Sequence, residues 1–114
     1  MRRATALALL TLLLAACSSP RVSVRMHNVG TEPVREVELN YGKMFGIGEL
    51  KPGEMRERSV KFSDPADFSI RFYDSANQLR TAKGPHVLAF SAGYVEAQLG
   101  DGGAVKWVSM VQAD

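Results

Sequence analysis

The chain has 114 residues, 46% of them hydrophobic and 23% charged, with a formal net charge of +2. Arg2 and Arg3 carry that whole excess; twelve Lys and Arg face twelve Asp and Glu in the remainder, which leaves no basic stripe for nucleic acid. A single cysteine, Cys17, excludes an intrachain disulfide, so apolar burial must offset a backbone ordering cost of about 1–2 kcal/mol per residue.

In chain order, the first element is the apolar run Ala4 to Ala16, which contains nothing more polar than Thr5 and Thr11. It falls short of the roughly 20 apolar residues that span a bilayer and fits the middle of a secretory leader. Leu14-Ala15-Ala16-Cys17 resembles the lipobox of bacterial lipoproteins, whose cysteine takes a diacylglyceryl group on sulfur and becomes the first residue of the mature chain. The resemblance implies that residues 1–16 are a short helical signal peptide, cleaved on export, and that Cys17 is the lipidation site. The membrane is then a partner through the lipid anchor, with about 0.8 kcal/mol contributed by each buried CH₂. Ser18 resembles the sorting signal for the outer membrane in bacteria with two membranes, which implies a place in the cell envelope facing the periplasm. Residues 17–21 form the lipidated cysteine and a tether; Ser18 to Arg21 reach at most about 14 Å.

From Val22 the period becomes two. Val22, Val24 and Met26 alternate with Ser23, Arg25 and His27, as a half-buried strand requires. Turn formers at 28–33 precede a second strand from Val34 to Tyr41, with Val37, Leu39 and Tyr41 on one face. Gly46 and Gly48 inside the third, from Met44 to Leu50, predict bulges or close backbone packing. Lys51-Pro52-Gly53-Glu54 is a type II turn by composition, since Pro presets φ and Gly accepts its positive value. Met55 to Phe62 is charged on both faces and suits a sheet edge, and Phe68, Ile70 and Phe72 mark a core strand. Between Gln78 and Ala92 the pattern weakens to two short strands, Leu79 to Thr81 and His86 to Ser91, around Lys83-Gly84-Pro85. Tyr94 to Leu99 and Ala104 to Val111 form a hairpin about Gly100 to Gly103, with Trp107 and Val105 joining the core.

No apolar period of 3.6 is sustained beyond the leader. The expectation is one all-β domain over residues 22–112, an antiparallel sandwich of about seven strands, with a small open barrel as the alternative. Its alternation, Trp107 and its turns resemble immunoglobulin-like and fibronectin-type domains, although the paired cysteines of true immunoglobulin domains are absent.

Catalytic groups are sparse. His27 and His86 have no zinc spacing around them, Ser91-Ala92-Gly93 is no nucleophile elbow, and no phosphate-binding glycine pattern occurs. The expectation is no enzyme, no cofactor and no bound metal. Turn carboxylates at Asp64, Asp67, Asp74 and Asp101 could meet at one end of a sandwich around calcium, but such residues populate turns for backbone reasons alone. Two binding candidates remain: Arg56, Arg58 and Arg71 with Tyr73, as a basic and aromatic patch if their strands pair, and the 79–93 segment with Phe90 and Tyr94. These lead to an envelope interaction or assembly module with an unidentified protein partner, or alternatively to a small-ligand or glycan binder using residues 79–93.

Overall fold

The computed structural model describes residues 19–113; the leader, Cys17, Ser18 and Asp114 lie outside the described residues. Strict alternation builds β1 (Val22–Asn28), where every second residue from Val22 to Asn28 is buried. The following strands are β2 (Val34–Asn40), β3 (Met44–Leu50), β4 (Met55–Val60), β5 (Ala66–Tyr73) and β6 (Leu79–Val87). β7 (Ser91–Leu99) and β8 (Val105–Ala113) close the chain, joined by a single 3₁₀ turn at Asp101–Gly103.

Two four-stranded sheets result, one in the order β4-β1-β7-β8 and the other in the order β3-β2-β5-β6. Their inner faces meet in one core, in which Val24, Met26, Val95 and Leu99 of the first sheet pack toward Leu39, Ile70 and Phe72 of the second. The fold is thus the expected β-sandwich, with eight strands. Neighbours run antiparallel except β1 and β7, which pair in parallel with Val22 opposite Gly93.

Bulges reconcile the apolar pattern with that core. Val34 and Val37 are three residues apart, so regular pleating would aim them at opposite faces. Both are buried, because β2 carries an extra residue between Arg35 and Glu38, where Glu36 takes φ 50°. The glycines of β3 behave as expected, with a register shift between Val37 and Glu38 opposite Gly48 and Gly46. The Pro52-Gly53 turn also forms as composition dictates: Gly53 has φ 81° and Glu54 N–H donates to Lys51 O at 3.0 Å.

β6 departs from expectation. Residues 79–87 make one continuous strand, not two short ones about Lys83-Gly84-Pro85. Gly84 and Pro85 occupy a bulge, since Asp67 pairs with His86 but Ser69 pairs with Lys83. An edge strand tolerates the missing N–H of proline, and β6 is an edge. The predicted strand from His86 to Ser91 is replaced by a turn at Leu88-Ala89-Phe90, which carries the chain from one sheet to the other. Phe62 lies beyond the end of β4 yet is buried, its ring 5.8 Å from Tyr41 and 5.9 Å from Phe68.

Candidate functional site

The patch expected from Arg56, Arg58, Arg71 and Tyr73 does not form, because its strands belong to different sheets. β4 pairs with β1, whereas β5 lies between β2 and β6. Arg56 and Arg58 stand opposite Met26 and Val24, so they share the inward side of the pleat at an edge with no further strand beyond it among the described residues. Arg58 lays its guanidinium 4.0 Å from the centre of the Phe45 ring and donates toward the Tyr41 hydroxyl at 3.5 Å. Arg56 pairs with Glu54 at 3.1 Å. Both therefore cover the open flank of the sandwich with their stems and keep their charges at its rim, which also discourages another chain from adding a strand there.

Arg71 and Tyr73 lie on the outer face of the second sheet. Arg71 Nε is 3.6 Å from Glu38, and Tyr73 stands opposite Arg35. Tyr94 is on the outer face of the first sheet, with Arg25 at 4.6 Å from its ring centre and that arginine held by Glu57 at 2.8 Å. Phe90 sits apart from all of these, at the tip of the β6–β7 turn. The six candidate residues are thus divided among an edge, two outer faces and one end. Residues 79–93 are not an irregular recognition segment, since only the 88–90 turn lies outside strands.

A concave surface lies on the second sheet. The outer face of the second sheet has an open depression of about 440 Å³ rimmed by Glu38, Met44, Arg71 and Lys83, with Ser69 and Thr81 on its floor. It forms because the short side chains of Ser69 and Thr81, on the central and edge strands, are flanked by the long ones of Glu38, Arg71 and Lys83. Arg71 and Lys83 offer donors to an anionic or hydroxylated group, with Glu38 partly neutralising Arg71.

The acidic turns are separated. Asp74 and Asp101 lie at the end of the sandwich remote from Arg21, and Asp64 and Asp67 at the other. Asp101 accepts hydrogen bonds from Thr31 N–H and Oγ1, both at 2.8 Å, and the backbone donor first and the hydroxyl second hold its pKa below the usual range. Asp74 accepts Gln78 N–H at 2.9 Å and Arg80 Nε at 2.8 Å, which lower its pKa in that order. Asp67 contacts His86 at 2.7 Å, and His27 lies 3.9 Å from Glu96. Among the described residues no three His, Cys, Asp or Glu side chains gather as a metal set.

Sequence reasoning missed two features. Gly84 leaves room for the Trp107 indole reaching across from the other sheet, and a Cβ on it would lie 2.7 Å from Cζ2. Phe90 adopts φ 58° while half exposed, an unfavourable conformation for a bulky residue in a place that gives it little burial. Neither contact is encoded in local periodicity; the only signals were the Gly-Pro pair and an apolar residue inside a turn.

No family model matches the chain, and no curated protein does. Among solved structures it is similar to the NMR structure of a protein from Eubacterium rectale, at 12% identity and a TM-score of 0.56, covering 78% of this chain and 87% of that one. At that identity the likeness concerns the fold alone.

Proposed function

We propose that the chain is a non-enzymatic, lipid-anchored interaction or assembly module of the bacterial cell envelope, attached through Cys17 and, in a cell with two membranes, facing the periplasm from the outer one. The observation that carries this reading is the way the tether meets the fold. Arg21, the last residue before β1, is fastened on three sides: its carbonyl accepts Gly93 N–H at 3.2 Å, Nε donates to Ser59 Oγ at 2.8 Å, and Nη2 donates to Ser59 O at 3.1 Å. Only Ser18, Ser19 and Pro20 separate Cys17 from that residue, a reach of at most about 14 Å. An acyl group on Cys17 therefore holds the whole sandwich against the bilayer and presents its outer faces to an envelope protein. Growth with labelled fatty acid tests it: the wild-type chain takes up label and fractionates with membrane, while Cys17→Ser does neither. Membrane fractionation of unlabelled Cys17→Ser refutes the anchor.

A second reading, binding of a small anionic ligand or glycan, is favoured by the depression between Arg71 and Lys83. Titration with sulfated and neutral oligosaccharides, followed by amide chemical shifts, tests it; perturbations confined to β5 and β6 support it, and an unchanged spectrum removes it.

A further inference from the structure

We propose that the Leu88-Ala89-Phe90 turn is a membrane-contact tip, seated in the interfacial layer of the same bilayer that holds Cys17; this rests on the lipid-anchor reading. Position comes first. The parallel pairing of β1 with β7 sets Val22 opposite Gly93, and continuing that register puts Ser19 level with Phe90. The described chain therefore begins beside the turn, while Val29 lies at the far end, a whole strand of about 23 Å away at 3.3 Å per residue.

Exposure comes second. Leu88 and Phe90 are 55% and 49% exposed at a turn tip, where polar residues are the rule. Phe90 also holds φ 58°, a conformation suited to Gly or Asn. The turn is fixed in that shape: Phe90 N–H donates to Phe62 O at 2.7 Å, and the buried Ser91 donates its hydroxyl to Leu88 O at 2.7 Å. A preset turn thus aims two large apolar side chains outward, beside the tether, at a cost that burial in lipid repays. Lys43 and Lys61, both exposed, stand at the same end, in the 41–43 and 61–65 connections, where headgroup phosphates would meet them. The acyl anchor supplies the effective concentration, so an insertion too weak to bind alone suffices.

The experiment uses the lipidated chain reconstituted into phosphatidylcholine–phosphatidylglycerol vesicles. With Cys17 acylated, Ala89→Cys or Val29→Cys provides one free thiol for a nitroxide label, and power saturation compares its accessibility to oxygen with that to a water-soluble nickel chelate. Oxygen dominates at position 89 and the chelate at position 29 if the tip inserts. Adding Leu88→Ser and Phe90→Ser, both at exposed positions, shifts the label at 89 toward the chelate without releasing the protein from vesicles. Flotation with the label at 89 in water overturns the tip and leaves the anchor standing. Failure to float, with Cys17 itself open to labelling, overturns both. Spin–spin broadening at position 89 shows a second copy on the turn instead, and also overturns the proposal.

Discussion

Replacing Gly84 by alanine tests whether β6 bulges there to admit the indole from the opposite sheet. A methyl at that position would lie 2.7 Å from Trp107 Cζ2 and 2.8 Å from Cε2 and Cη2. Ordinary carbon contacts are about 3.5–4.0 Å, so the ring must retreat by about 1 Å. It has little room to do so, since it packs edge-on against the buried Phe68 at 6.3 Å between centroids. Overpacking of this kind costs about 1–3 kcal/mol, from the 5–15 kcal/mol that a domain typically holds. At about 4–8 °C per kcal/mol, a loss of 2 kcal/mol lowers Tm by roughly 8–16 °C. Trp107→Phe removes the crowding atoms and also the buried Nε1–H, which has no hydrogen-bond partner among the described residues. The double variant should then be more stable than the sum of the singles by about 1–2 kcal/mol, well outside the ~0.5 kcal/mol expected for independent sites. Urea unfolding followed by far-ultraviolet circular dichroism measures all four corners of the cycle. A neutral Gly84→Ala, or simple additivity, refutes the account.

Asn28 is buried and its side chain joins three segments: Nδ2 donates to Glu32 O at 2.8 Å and Leu50 O at 2.9 Å, and Oδ1 accepts Gly30 N–H at 2.9 Å. Asn28→Ala should cost at least about 2 kcal/mol in urea unfolding, and Asn28→Asp more, because an acceptor then faces two carbonyls. Glu36→Gly relieves a left-handed residue at a bulge but loosens the unfolded chain, so the net gain should be small, about 0–1 kcal/mol; a loss above 1 kcal/mol means that the Glu36 side chain contributes packing absent from this account.

Most of the layer structure was legible because a period of two is a local signal. Val22, Val24 and Met26, or Phe68, Ile70 and Phe72, declare their inward face without reference to any other strand. The pairing of strands was not legible. Arg56, Arg58 and Arg71 look alike along the chain, and only the sheet order separates an edge lid over Phe45 from an ion pair on the opposite sheet. Bulges hide for a related reason. The Gly84-Pro85 pair has turn chemistry, and what makes it a strand is its place on an edge opposite Phe68 with an indole behind it. The depression on the second sheet likewise depends on Ser69 and Thr81 becoming neighbours from separate strands.

The two ends of the sandwich are held by different chemistry, and acid should tell them apart. At the end remote from Arg21, Asp74 and Asp101 staple loops through backbone donors, and Glu54 accepts Lys51 N–H at 2.9 Å. All three have folded pKa values below their ordinary ones, each chiefly through that backbone hydrogen bond. The folded state therefore binds fewer protons than the unfolded state, so stability rises with pH. The contribution is complete above the unfolded values of about 3.9 and 4.3, and is lost as pH falls through them toward the lower folded ones. At the tether end the closure is instead aromatic, with Tyr41 stacked 5.7 Å from Phe68 and edge-on to Phe62, contacts made by rings and not by carboxylates. Hydrogen exchange at pH 3.5, corrected for intrinsic rates, should therefore lose protection at Thr31 and Gln78 while the amide of Phe90, bonded to Phe62 O, keeps it. Asp101→Asn should flatten the dependence at Thr31 alone. Uniform loss across both ends would mean that acid acts on the global unfolding equilibrium and that the carboxylate staples have no local stability of their own.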